Sequence, residues 1–585
     1  MKQNTIQVTN EPVHDVPLLL GIMEGMGIRR HIDGVLVQHK GWEGISVGTI
    51  IEIWLCYMLT EHDHRLEAVR EWVNERQQVF NALLGITLRD TDLSDDRLAV
   101  VLDKIGEEDF QRDVDEGMVR EWVTVYALPS EIIRLDSTSV SVYSAIEDDA
   151  DSLIQRGHSK DHRPDLGQFK IMLSTLDPLG MPIVCQVVSG EQADDGLYVP
   201  SYDETVRVLG RSDVLVVGDS KMAALATRAH LVGGGSLYLC AYRPVGNSTA
   251  ATDWADEALA HEADWEAVTE VDKKTGELRP AAYLYTGQRG QTWTDPNTGK
   301  TTTWSERVIV VRAESMREKL VEHSQTRWQR LSQALLALRR PIATGRRRYR
   351  TQADLQLVVT ALLARYDLTG LVTVTLVEET LANGTSRWIV GQFSLDTAAW
   401  QTYQQRLGWQ LYLTNATTAQ YDNPALLWHY RHQIFHEHTF SRLKTGHLHI
   451  RPVFLRNELR IDGLTWLLCV ALRILALTEF RVRTQLALQN QALLGLNPAA
   501  PSRAMTRPTT ERILHAFTNL TFTAIDFGDS IQHFITDLSP IQRQLLALLN
   551  LPSDLYSRLA SGAPLPLTIP IYRSLALSNS RLVGP

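Results

Sequence analysis

The chain has 585 residues, too many for one hydrophobic core, so two to four domains are expected. Its 44% apolar and 22% charged content is that of an ordinary soluble globular protein, and four scattered cysteines without a CxxC pair exclude a disulfide framework or a zinc site. The net charge of -10 argues against nucleic acid only on average: residues 1–130 hold 12 Lys/Arg against 23 Asp/Glu (-11), whereas residues 331–585 hold 25 against 15 (+10).

Residues 1–125 read as a helical N-terminal module for DNA recognition or assembly. "WEGISVGTIIEIWLCYMLT" and "HRLEAVREWVNERQQVFNALLG" carry apolar residues at helical spacing, and "TDLSDDRLAVVLDKIGEEDF" opens with N-cap candidates. The N-terminus lacks the apolar stretch of a secretory signal, and runs such as 464–477 are interrupted by Arg473 and fall short of a membrane span. A cytoplasmic, nucleoid-associated location without membrane contact is therefore expected.

From residue 130 the period changes. "IIRLDSTSVSVYS" alternates as a strand, "FKIMLSTL" and "PIVCQVVS" flank the turn "DPLG", and "DVLVVGDS" is an apolar strand followed by the helix "KMAALATRAHLV". Residues 130–245 and 416–495 read as two parts of one α/β core with a mixed sheet. Residues 246–415 read as a β-rich insertion domain and 496–585 as a helical C-terminal region.

Asp136 and Asp219 lie in or at the end of apolar strands, where an acid caps the next helix or binds a ligand. The third acid of interest is in "YRHQIFHEHTFSRLKTGHLHIRP" (430–452), where Glu437 stands alone among five histidines and several cations. On one continuous helix, at about 100° per residue, Tyr430, Gln433, Glu437 and Lys444 share a face. The histidines point in other directions, although His432 and His436 are four apart and could share a metal. The H-E-x-x-H pattern fails because Phe440 stands three after Glu437. Three hard oxygen donors from distant segments suit Mg²⁺, which is rarely caged by protein alone. "RRPIATGRRRYR" (339–350), with Arg346, Arg347 and Arg348 at its centre, reads as a phosphate-contacting loop.

Together "LDSTSV", "VVGDSK" and "YRHQIFHEHTFSRLK" resemble the DDE-class transposases of bacterial insertion sequences. The subgroup in question has a last motif that reads Y-x2-R-x3-E-x6-K. "RGHSKDHRPDLGQFK" (156–170) is similar to the same subgroup, and the resemblance covers roughly 130–480. It implies an RNase H-like fold and Mg-dependent strand cleavage and strand transfer. Two Mg²⁺ ions, or Mn²⁺ as a substitute, would be held by Asp136, Asp219 and Glu437, with Asp136 bridging them. It also implies binding of terminal inverted repeats and target DNA, a homodimer on DNA, and phosphate contacts from Tyr430 and Lys444. One position departs from the pattern: Gln433 stands where the motif has Arg. Glutamine donates a hydrogen bond but brings no charge. Arg431 or Arg442 compensates, or binding of DNA ends is weaker. Two alternatives stay open: a catalytically inactive DNA-binding relative, and a metal-dependent nuclease unconnected with transposition.

Overall fold

The computed structural model describes residues 6–36, 40–143, 152–160, 163–244, 249–271, 277–339, 349–380 and 384–565. Its contacts divide the chain into two units, Met1–Tyr238 with Trp428–Pro585, and Leu239–Leu427.

The first unit is built on a mixed sheet. Strand β1 (Ile132–Val142) pairs antiparallel with β2 (Gly167–Leu176), which pairs antiparallel with β3 (Met181–Ser189). On its other edge β1 pairs in parallel with β4 (Leu215–Gly218), and residues 237–238 follow, with a bond from Leu237 N–H to Val214 O. The β2–β3 turn closes through Gly180, whose φ of 64° is a conformation that glycine adopts without strain. This mixed sheet with helices on its faces has the RNase H-like arrangement that the motifs imply. Its strands are buried almost throughout, as expected of a sheet covered on both faces.

The N-terminal helices run from Val16 to Val125, and the sequence periodicity holds there. Helix Val47–Glu61 starts where Ser46 Oγ accepts from Thr49 N–H at 3.2 Å, and it is buried almost all round. Helix Glu458–Leu488 is long and apolar enough to cross a membrane, yet 94% of its most apolar window is buried within the protein. Arg473, in the middle of this helix and fully buried, donates to Asp115 at 2.5 and 2.8 Å and to the carbonyls of Pro182 and Ile183. Burial alone would depress the guanidinium pKa, but Asp115 holds it above the ordinary range. One ion pair thus ties the N-terminal helices, the sheet and the C-terminal helix together.

The last hundred residues are not simply helical. Thr521–Asp526 and Ile531–Ile535 form a hairpin, and Gln7–Pro12 pairs with its first strand, so both ends of the chain share one three-stranded sheet. "TFTAID" alternates in burial, the period-2 signal that the surrounding helical runs obscured.

In the second unit residues 239–242, Trp409–Thr414, Thr301–Ala313, Leu278–Thr294 and Glu266–Val271 make antiparallel neighbours in that order. Helices accompany these strands. Helices Glu314–Arg339 and Gln352–Arg365 pack with the hairpin Val372–Thr380/Ser386–Leu395 around Leu331, Leu335, Leu355, Val359, Leu368 and Val390.

Removing the partner of Arg473 leaves a buried charge uncompensated. Asp115→Ala should therefore destabilise the first unit by about 3–5 kcal/mol, read as an earlier unfolding transition in urea.

Candidate active site

Parallel pairing of β1 with β4 runs in register from Ile132↔Leu215 to Leu135↔Gly218. The next residues are Asp136, within β1, and Asp219, just past the end of β4, so the two acids follow the last paired residues of strands that lie about 5 Å apart. Gly218 permits the close packing behind them: a Cβ there would meet Met222 Sδ at 2.7 Å and Tyr198 Cε1 at 3.1 Å. Tyr198 thereby reaches the site, and its hydroxyl donates to Asp219 Oδ1 at 2.6 Å. The same oxygen accepts from Lys221 N–H at 2.8 Å, forming a turn that delays the next helix to Leu225–Gly233.

Asp136 Oδ1 accepts from Ser137 N–H at 2.7 Å and lies 3.4 Å from Lys160 Nζ. Burial raises the Asp136 carboxyl above its ordinary pKa, and the Asp219 charge adds to the rise. Lys160 and the Ser137 N–H oppose it. Burial together with both carboxylates drives the Tyr198 hydroxyl well above its usual range, so it stays a donor.

Glu437 lies on helix Ile434–Lys444, exposed, accepting from Gln433 Nε2 at 2.9 Å. Three contacts seat this helix on the sheet. His436 Nδ1 is 2.7 Å from Thr175 Oγ1, Thr439 Oγ1 donates to Gly180 O at 2.6 Å, and Lys444 Nζ donates to Thr138 Oγ1 at 3.1 Å. Thr138 is two residues beyond Asp136 on the same strand face, and Thr175 is paired with Arg134, two residues before it. The Glu437 helix therefore runs along the sheet face that carries Asp136. Among the described residues, however, no group of three or more His, Cys, Asp or Glu side chains is close enough to hold a metal ion. Asp136 and Asp219 offer adjacent hard oxygens of the type Mg²⁺ takes, and a divalent ion would relieve their repulsion. The Glu437 carboxylate is turned to Gln433.

The single-helix reading of 430–444 does not hold. Helix Asn423–Arg431 ends before Gln433, a turn at His432–Gln433 intervenes, and the Glu437 helix begins at Ile434. Tyr430, half-buried, consequently does not share a continuous face with Glu437 and Lys444. The same break separates the histidines. His432 stacks on Trp428 with ring centroids 3.8 Å apart, while buried His436 faces Thr175, so the two do not converge as a metal pair.

Arg431 is exposed beside the turn. Arg442 is committed inward, donating to Glu511 at 2.7 Å and to Glu479 at 2.6 Å, so a phosphate contact would have to break these pairs. Arg134, buried beneath the Glu437 helix, donates to Asp177 Oδ2 at 3.1 Å and to His429 O. Arg346, Arg347 and Arg348 lie outside the described residues. Sequence reasoning missed Tyr198 and the placement of Lys160. Only Lys160 carried a signal, as part of the stretch 156–170.

Residues 8–114 match a family model described as a domain of unknown function (DUF4277). No curated protein matches the chain. Among solved structures it is similar to a cryo-EM structure of a piggyBac transposase synaptic complex with hairpin DNA. The identity is 9% and the TM-score 0.31, with 80% of this chain and 76% of that chain covered.

Burial first, and then the Arg134 charge, lower His436 to a pKa of about 3 from the 6.5 of a free imidazole. Protonation then favours the unfolded chain, so this residue costs stability progressively as pH falls from 6.5 towards 3. Thermal unfolding between pH 7.5 and about 4.5 should show a smaller acid-induced loss in His436→Gln than in the wild type.

Proposed function

We propose that the chain is a transposase that binds the terminal inverted repeats of an insertion sequence and cleaves and joins DNA strands. The observation that carries this reading is the pair Asp136 and Asp219 where the parallel pairing of β1 and β4 stops in an RNase H-like sheet, with the Glu437 helix on the face that carries Asp136. The motif resemblance around these three acids supports it.

Held by Asp136, Asp219 and Glu437, Mg²⁺ would stabilise charge on the attacking and leaving oxygens of a phosphodiester. Every other part is played by the chain itself. Tyr198 fixes one Asp219 oxygen and leaves the other free for a ligand. Glu437 accepts from Gln433 at 2.9 Å, a bond that would have to be released for the third carboxylate to join the pair. Lys444, anchored at Thr138, stands where an ammonium can meet a backbone phosphate lying across the Asp136 face, and Arg431 is exposed for a second contact. The partners proposed are terminal-repeat and target DNA, with a second copy of the chain in the complex.

Gln433 in place of Arg favours a second reading, a relative that binds DNA ends without cutting them. With His432 and His436 apart, the histidine support for an unrelated metal-dependent nuclease is gone. Asp219→Asn is expected to abolish strand cleavage of labelled end DNA while leaving its binding nearly intact. Retained cleavage would remove Asp219 from the site, and a wild-type chain that binds ends but never cuts them would establish the second reading. Neutralising Arg346, Arg347 and Arg348 together should weaken DNA binding across all sequences and flatten its salt dependence, measured by fluorescence anisotropy over a salt series. An unchanged slope would exclude these arginines from the DNA contact.

A further inference from the structure

The segment 152–160, between β1 and β2, is held so as to deliver one side chain to Asp136. Gln155 and Gln168 exchange backbone hydrogen bonds of 3.0 and 2.9 Å, and the Gln168 side chain donates to the carbonyls of His158 and Gly190. Gly157 passes so close to Gly190 that a Cβ would stand 2.2 Å from its carbonyl oxygen. The Lys160 N–H then donates to Ser139 Oγ at 3.3 Å. From that anchor the side chain turns back along β1. Its ammonium donates to Ser137 O at 2.5 Å and Ser137 Oγ at 3.0 Å, and lies 3.4 Å from Asp136 Oδ1. A second carboxylate is within reach: Asp194 Oδ2 is 3.8 Å away, while Asp194 Oδ1 is taken by the buried Lys170 at 2.8 Å.

We infer that Lys160 is the resident monovalent cation of the Asp136 carboxylate, and that a divalent ion binding there drives its ammonium onto Asp194. The inference rests on the proposed reading of Asp136 as a metal ligand. An ammonium and a divalent ion repel each other too strongly to share one carboxylate edge, so one must leave. Lysine is suited to move, as a compact charge on a flexible stem that any of three N–H bonds can direct. Its strongest present bonds are to the neutral oxygens of Ser137, and Asp194 provides a charged seat less than 1 Å beyond contact distance. Lys160 is thus a positioning residue: it tempers the Asp136–Asp219 repulsion in the ion-free protein and lowers the apparent affinity for metal.

The test uses the full-length protein without DNA and Mn²⁺ as the probe, with free Mn²⁺ measured by electron paramagnetic resonance. Asp136→Asn marks the site and should bind no Mn²⁺. Lys160→Met should bind about two- to fivefold more tightly than wild type, the scale of one partly exposed ion pair removed from competition. Lys160→Gln, which keeps a hydrogen bond to Ser137, should tighten binding likewise and serves if the Met variant misfolds. Asp194→Asn should weaken binding in the wild-type background, where the displaced ammonium loses its seat, and leave it unchanged in Lys160→Met. Equal affinity in wild type and both Lys160 variants, with Asp136→Asn inert, overturns the inference and leaves Asp136 as a ligand. Weakening by Asp194→Asn in both backgrounds reduces Lys160 to a general field effect and also overturns it. Unimpaired binding by Asp136→Asn defeats the underlying metal reading itself.

Discussion

Parallel pairing stops at Leu135 and Gly218, while β1 continues to Val142. Past that point one edge of β1 has no partner from β4, and the two residues at the fork are both aspartates. The fork opens the site to both faces of the sheet. Tyr198 and Lys160 arrive from the side of Ser137 and Ser139, whereas Lys444 and the Glu437 helix arrive from the side of Arg134 and Thr138. A continuous strand pair would have closed this gap with backbone hydrogen bonds and hidden the carboxylates. The like charges that result are held together by an ammonium, a phenol and two backbone N–H groups. That set of donors shows how an anionic pair survives near a hydrophobic sheet.

The uneven charge along the chain acquires a second meaning in the folded protein. Two of the C-terminal arginines are turned against the acidic N-terminal module: Arg473 pairs with Asp115, and Arg460 with Asp103 at 2.7 Å. Arg442 and Arg483 share Glu479, and Arg442 also takes Glu511. The asymmetry that suggests a polyanion surface is thus in part a device for joining distant stretches of sequence. Among the described residues, Arg431 is exposed beside the turn that precedes the Glu437 helix.

Strand alternation and the Asp-Pro-Leu-Gly turn were legible in the sequence because each depends on residues within a few positions of one another. The break at His432–Gln433 was not. Nothing local marks it: the helix before the break meets Arg134 through the His429 carbonyl, and the helix after it is seated on Thr175 and Thr138, contacts that only the folded sheet supplies. Tyr198 escaped notice for a similar reason: a tyrosine opening a helix acquires its role only from Gly218, which lets it approach Asp219. The strand Gln7–Pro12 is mostly exposed and has no core face to read, and its partner lies some five hundred residues away.

That long-range pairing bears on how the molecule is made. Translation leaves the first unit at residue 238 and returns to it at 428, so the ribosome spends about 10 to 40 s on the intervening stretch at ~5–20 residues per second. Throughout that interval the N-terminal helices lack Arg473, the Glu437 helix and the strand that will pair with Gln7–Pro12. Half a core, with Asp115 unneutralised and apolar faces uncovered, must wait for its complement. A nascent chain of this design is a natural client for chaperones until the hairpin at 521–535 emerges.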